Sequence, residues 1–528
     1  MFGASPILLG DQESFKRGEA LYATNCSMCH QASGMGVPPV FPPLSKSDWL
    51  LANRKRAILV LAQGLQGEIQ VNGQKYNGVM PAQMLDDQQA ADVLSFITNS
   101  WGNQAQPFTQ EEVASARLES RFPTYEELLK ENSYQALPQA PTGWVLEEVV
   151  RLNEFPSRLA GPDKDGSAFL LMQSGIVYKI KNSQLEKWVD EESYTDLATM
   201  AHISAAGIAI GPDSHLWLSS NQRFEDSDGM VKNRVTIWRS ADVISDESPK
   251  MEVWYQTVMP YGVGPYNHGV THIAFGPKKD MWIASGSRTD SGEEGNVPNI
   301  AKTGETEMTA CLWHFAGDFS HKVQAGEPEI VARGLRNPYG FAWDSAGNLL
   351  VASNGPDADL AEELNVIQPN EHYGFPYQYA EKPASERFYP HAPKAPAGLK
   401  FTHSMENLGP DGGKGYFSLS PHSAPAGIMW CGDQYPEPLS NRFLITRFGN
   451  MIGMPEDAGF DVLSVKLIKS PKGLWQAETH SVLSGLGRPI DVLGLGDGSL
   501  MILEYSRVTD QKSKLGSMPG RITRLRPE

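Results

Sequence analysis

The chain has 528 residues, 40 % apolar and 20 % charged, with 45 Lys and Arg against 62 Asp and Glu for a net charge of −17. That length exceeds one ordinary domain, and the apolar share supports packed cores. The acidic balance argues against nucleic acid and anionic membrane as partners. No apolar run reaches the roughly 18 residues of a membrane span, so no transmembrane segment is expected. "SPILLG", from Ser5, is too short for a signal-peptide core and has no basic lead, so export implies a signal already removed.

"DQESFKRGEALYATNC" reads as a helix with Asp11 as its cap and Phe15, Ala20, Leu21 and Tyr22 as apolar positions. It delivers Cys26, Cys29 and His30, the spacing C-x-x-C-H. Two thiols so spaced can add to the two vinyl groups of haem, and the adjacent imidazole can ligate the iron. A zinc site would need a second Cys/His pair, and none follows nearby. A thioredoxin-like dithiol would need a βαβ context rather than a helix. The second axial ligand is sought in "KYNGVMPAQ", where Met80 precedes a stiffening proline, with Met84 one turn on. Spacing alone leaves each Met as ligand or core. "LDDQQAADVLSFITNSWG" then reads as an amphipathic helix. Residues 11–103 resemble a class I cytochrome c domain, and "YNGVMPAQ" resembles that family's ligand motif. The resemblance implies covalent haem c with Met80 as second ligand, and a periplasmic address. In that compartment Cys311 and Cys431 read either as a disulfide or as two separate buried thiols.

Residues 104–142 are polar and punctuated by proline, which predicts a linker or strap with one or two short helices. From residue 143 to 528 the helical period gives way to a repeated phrase: apolar strand, Gly-Pro-Asp-like turn, apolar strand. Six copies start at Pro156, Gly207, His272, Gly340, Gly427 and Arg488. Their unequal spacing suits propeller blades with unequal loops, and Gly, Asp and Asn supply the positive φ of tight turns. The fold class predicted is therefore multidomain, an all-α cytochrome c domain followed by an all-β six-bladed β-propeller. Polar residues at the blade openings are Arg158, His202, His268, Arg336 with Asn337, His422 with Ser423, and Arg488. Arginines suit carboxylates and a neutral His suits proton abstraction, so the mouth reads as a site for an anionic ligand and a proton transfer.

"GLRNPYGFAWDSAGNLLVASNGPDADLAEELNVI", from Gly334, resembles the glucose/sorbosone dehydrogenase family of soluble quinoproteins. The likeness is strongest from His202 to Phe375 and returns at "GRPIDV". It implies a six-bladed propeller that binds pyrroloquinoline quinone and calcium. "NHGVTHIAFGP" resembles the family's catalytic segment, which implies His268 as general base and leaves His272 facing the blade interior. The resemblance further implies Arg336, Asn337 and Arg488 on the quinone and the Gly355 and Pro356 carbonyls on Ca²⁺. Three positions depart from the pattern: His202 stands for a glutamine, Ile490 for a second arginine, and Arg447 is the nearest candidate for the family lysine.

The expectation is a periplasmic quinohaemoprotein dehydrogenase that oxidises a sugar or related alcohol or aldehyde. It passes electrons to its own haem c and then to an external carrier such as another cytochrome, a cupredoxin or a quinone-linked chain. Two other classes stay open: a non-catalytic haem-bearing propeller for binding or redox sensing, and a calcium-dependent hydrolase of lactonase type.

Overall fold

The computed structural model describes residues 9–119, 125–181, 183–196, 203–263, 267–295, 297–317, 319, 327–357, 360–380, 382–383, 392–411, 417–450, 458–510 and 513–528. The chain divides into two compact units, Met1–Ser133 with Asp510–Met518, and Tyr134–Thr509 with Pro519–Glu528. The expected linker is thus shared between the two, residues 104–133 going with the first and 134–142 with the second.

The first unit is helical: α1 (Leu9–Asn25), α2 (Ser27–His30), α3 (Asp48–Leu51), α4 (Arg54–Gln63), α5 (Asp87–Ile97), α6 (Gln110–Glu119) and α7 (Tyr125–Lys130). α1 begins ahead of Asp11, which sits in its first turn rather than at its cap. α5 is closed at its start by a capping box between Asp86 and Gln89, which satisfies two otherwise orphaned N–H groups. α1 and α5 cross where Gly18 lies: a Cβ there would stand 2.1 Å from the Asp92 carbonyl oxygen and 2.8 Å from Phe96 Cβ. Rings lock the crossing, with Phe15 5.1 Å and Tyr22 5.4 Å from Phe96. The buried Asp92 carboxylate accepts Arg17 Nε at 2.6 Å and the Ser14 hydroxyl at 2.6 Å. α6 is no free tether, because Val113 and Ala116 are buried in this core and Arg54 grips Glu112 with two hydrogen bonds. Two short ribbons interrupt the helices, Leu65–Gln66 with Val79–Met80 and Ile69–Val71 with Gln74–Tyr76.

Among the described residues the second unit holds six blade sheets in chain order, and beside them a two-stranded ribbon, Gln378–Tyr379 with Lys382–Pro383. The innermost strands of the blades are Pro156–Ala160, Ile203–Ile210, Val270–Phe275, Asn337–Trp343, Pro425–Cys431 and Pro489–Gly494. Each neighbours the next, and the sixth neighbours the first, so the ring closes into a six-bladed propeller. The turn after the inner strand recurs as a closed loop: Asp163 N donates to Ser167 O, Gly211 N to His215 O, Gly276 N to Asp280 O, and Asp344 N to Asn348 O. This is the repeat that the sequence displays. The outer strand of the last blade, Trp144–Arg151, comes from the start of the unit and pairs with Arg521–Pro527 from its end. That pairing clasps the circle by joining the two ends of the unit in one blade.

A second repeat is invisible in the sequence. In all six blades the ladder between inner and second strand has a register shift within the first few residues of the inner strand. A bulge turns the strand and re-aims side chains, so each blade presents its opening residues differently from its regular ladder.

Candidate functional site

In the first unit, α1 ends one residue before Cys26, and the next turn brings Cys29 N and His30 N onto the Cys26 carbonyl at 3.2 and 2.9 Å. His30 Nδ1 lies 2.9 Å from the Pro42 carbonyl oxygen. A carbonyl only accepts, so Nδ1 carries the proton and Nε2 keeps its lone pair, the state an iron ligand needs. Burial holds the imidazole pKa below its ordinary value, which favours the same neutral form. Cys26, Cys29 and His30 line a cavity of ≈ 210 Å³ together with Tyr76, Val79, Met80 and Pro81. An adjoining apolar cavity shares Cys26, His30 and Met80 and extends to Leu61, Leu94 and Ile97. Two thiols, an imidazole and a thioether around an apolar cleft fit a covalent haem. Met80 is placed by its pairing with Leu65, while Met84, among the described residues, does not line either cavity.

In the propeller, His268 precedes the third inner strand and Ser287 follows the second strand of the same blade. The His268 backbone N–H donates to the Ser287 carbonyl at 3.1 Å. Nδ1 of the ring lies 3.0 Å from that carbonyl and 3.1 Å from the Ser287 hydroxyl oxygen. The hydroxyl proton is itself spent on Thr289 O at 2.7 Å. Both Ser287 oxygens therefore accept, Nδ1–H donates, and Nε2 is left as a base. Burial first, and then the Arg336 charge, push the His268 pKa down to about 3 against the opposing Ser287 hydrogen bond. Gly286 lets the fourth blade come close: a Cβ there would stand 2.5 Å from His268 Cβ and 2.9 Å from Asn337 Oδ1. Among the described residues Asn337 Oδ1 is buried with no hydrogen-bond partner. A buried polar atom in that state calls for a ligand or water.

Arg336 is tied to the same turn, since its carbonyl accepts Ser287 N at 2.7 Å. Its guanidinium donates to Asp290 O at 2.9 Å, to Asp290 Oδ1 at 2.8 Å and to Gly355 O at 2.6 Å. Arg488 donates to Asn450 O at 3.0 Å and Thr509 O at 3.1 Å, and lies 5.1 Å from the centres of both Phe448 and Phe460. Arg447 is clamped differently. It grips Asp461 at 2.8 and 2.6 Å and Asp411 at 3.1 Å, all three side chains being buried. Two carboxylates thus already surround that cation.

The other expected positions fall as follows. His202 lies outside the described residues. Arg158 sits inside its inner strand, paired with Asp491 of the sixth blade at 3.4 Å. His272 packs its ring against Phe341 of the fourth blade at 4.6 Å. Ile490 is buried. Cys311 and Cys431 are free, buried thiols in the third and fifth blades, so the disulfide alternative gives way to separate thiols. Among the described residues no group of three or more His, Cys, Asp or Glu side chains could hold a metal ion. The Gly355 carbonyl, with Pro356 the expected calcium donor, faces the Arg336 guanidinium. Calcium takes six to eight oxygens, and these donors do not fit it as they stand.

Sequence reasoning missed Ser287 and Asp290 as partners of His268 and Arg336. The signal was a polar loop, "SRTDSGEEGNVPNIAKTGETEMT", opening directly after a blade strand. That loop is folded onto itself: Arg288 donates to Tyr261 O at 2.7 Å, Gly304 O at 2.7 Å and Ala301 O at 3.1 Å, while Glu305 accepts Arg288 N and Thr289 N.

A cytochrome c family model matches residues 15–101, and a glucose / sorbosone dehydrogenase model matches residues 213–398. Cytochrome c-552 of Thermus thermophilus is 43 % identical over 116 residues, 20 % of this chain and 88 % of that protein. The cytochrome c subunit of the quinone alcohol dehydrogenase of Gluconacetobacter polyoxogenes is 35 % identical over 92 residues, 17 % of this chain and 19 % of that subunit. Among solved structures, the calcium structure of a Trichoderma reesei carbohydrate-active enzyme of family AA12 shares the fold with a TM-score of 0.50 and 13 % identity. It covers 75 % of this chain and 99 % of that one.

Proposed function

We propose, because this chain belongs to the cytochrome c family in its N-terminal unit and fuses to it a six-bladed propeller of the PQQ-dependent glucose/sorbosone dehydrogenase type, that it is a periplasmic quinohaemoprotein which oxidises a sugar or related alcohol. The observation that carries the reading is the tautomer of His268. Its Nδ1–H is held by Ser287 and its Nε2 is a neutral base at physiological pH. Oxidation of a CH–OH group removes a proton from oxygen and a hydride from carbon, and Nε2 takes the proton. When bound, pyrroloquinoline quinone supplies the two-electron acceptor and haem c the one-electron outlet. Asn337, whose Oδ1 lacks a partner among the described residues, and the arginines at 336 and 488 are the residues to hold the quinone. Cys26, Cys29, His30 and Met80 are those to hold the haem. Having both in one chain raises the effective concentration of the acceptor. Electrons leave to an external carrier. No step of this reading is routed through calcium, since the Gly355 carbonyl faces the Arg336 guanidinium, itself a cation.

A second reading, binding or redox sensing without turnover, is favoured by Arg447, whose charge is spent on Asp411 and Asp461. The test is reduction of the haem by substrate after the quinone is added. Dehydrogenation requires it, and sensing without turnover forbids it.

A further inference from the structure

The propeller end that carries His268 bears another group of side chains, which proton abstraction does not use. Phe155 precedes the inner strand of the first blade and Gln173 follows its second strand. Phe448 and Tyr505 follow the second strands of the fifth and sixth blades. In an antiparallel hairpin the start of the first strand and the end of the second lie together. All four therefore stand at the strand ends that carry His268 and Arg336.

The rings meet. Phe155 stacks on Tyr505 at 4.8 Å with an interplanar angle of 29°, and Phe448 lies 5.4 Å from Tyr505. Backbone bonds pin them, Gln173 N to Phe155 O at 3.1 Å and Tyr505 N to Arg488 O at 2.7 Å. Each ring is only half-buried, although Leu152, Met172 and Leu503 nearby in the chain are fully enclosed. A polar group edges them: the exposed Gln173 amide is 3.4 Å from the Tyr505 hydroxyl.

A contiguous aromatic surface left in water gains free energy when a ligand with an apolar face covers it. The Gln173 amide and the Tyr505 hydroxyl at its edge select a ligand that carries hydroxyls around that face. A six-membered sugar ring has this form, with C–H groups on its faces and hydroxyls at its rim. An open-chain polyol has the hydroxyls without the fixed face. We propose that Phe155, Phe448 and Tyr505, edged by Gln173, form a subsite for the ring of a cyclic sugar. The choice of sugar as ligand rests on the dehydrogenase reading above.

The experiment is calorimetric titration of glucose, and separately of sorbitol, into the full haem-loaded chain without quinone. Native protein binds glucose at least about tenfold more tightly than sorbitol. Phe155→Ala weakens glucose about tenfold, as loss of one aromatic stack does. Gln173→Ala, at an exposed position that does not threaten folding, weakens it several-fold. No glucose binding, or equal binding by native protein and both variants, overturns the subsite. Quinone-dependent haem reduction is followed in parallel. If it is absent while glucose binding still depends on Phe155, the dehydrogenase reading falls and the subsite stands. If glucose reduces the haem with an unchanged KM in both variants, the subsite falls and the dehydrogenase stands.

Discussion

Nδ1 of His268 is 3.0 Å from the carbonyl oxygen of Ser287, and this one hydrogen bond decides which ring nitrogen is the base. Replacing His268 by Ala removes Nε2 and leaves the haem unit untouched. Substrate-driven haem reduction falls by about 10²–10⁴-fold, the span of a lost general base, with an unchanged haem spectrum. Ser287→Ala keeps the carbonyl acceptor and loses only the hydroxyl, so its cost is roughly tenfold or less. Stopped-flow haem absorbance measures both.

The pH dependence follows from the depressed His268 pKa. An imidazole at its ordinary value of 6.5 would lose base activity below neutrality, whereas one held at about 3 stays neutral far lower. The acid limb of kcat/KM due to this group therefore lies below pH 5 and not near 6.5. The sign for stability is the same. Between about 3 and 6.5 the unfolded chain binds more protons than the folded one. The contribution of His268 is full above 6.5 and is lost as pH falls through that window. A limb centred near 6.5 that disappears in His268→Ala would contradict the buried-base account.

Met80→Ala alters axial ligation and lowers the haem potential, since a thioether ligand raises it. Met84→Ala leaves the low-spin spectrum and the potential as they were. A redox titration of the two variants distinguishes them, and the reverse pattern would move the ligand to Met84.

Arg447→Met strands the buried Asp411 and Asp461 carboxylates, at a cost of about 3–5 kcal/mol. Thermal unfolding of the propeller at neutral pH should drop by several degrees. A variant as stable as the native chain would show that the two carboxylates had found other partners or protonated without strain.

Gly18→Ala drives a methyl into the Asp92 carbonyl at the α1–α5 crossing, and overpacking of this sort costs about 1–3 kcal/mol. The haem unit then unfolds at lower denaturant while the propeller transition is unmoved.

Much of this was legible because it is local. C-x-x-C-H lies within one helical turn, and the blade turns recur as a phrase that only a tight hairpin explains. Contacts distant along the chain were not legible. Ser287 reaches His268 across a hairpin 19 residues long, and Asp411 reaches Arg447 from 36 residues away. The clasping strand Trp144–Arg151 finds its partner 370 residues later, at Arg521. The bulge that opens every inner strand has no residue signature, because backbone register sets it. Met80 as a ligand rests on the family resemblance, since a methionine between apolar neighbours reads equally as core. Arg447 was the weakest inference: a lone arginine does not announce the two aspartates that neutralise it.

The measurement that bears most directly on the central claim is the visible spectrum of the oxidised protein, with and without pyrroloquinoline quinone, on addition of an aldose. The account predicts sharpened bands of reduced haem only when the quinone is present, and their appearance about 10²–10⁴-fold more slowly in His268→Ala. Haem that stays oxidised across a panel of aldoses and small alcohols, although the quinone is bound, would contradict it.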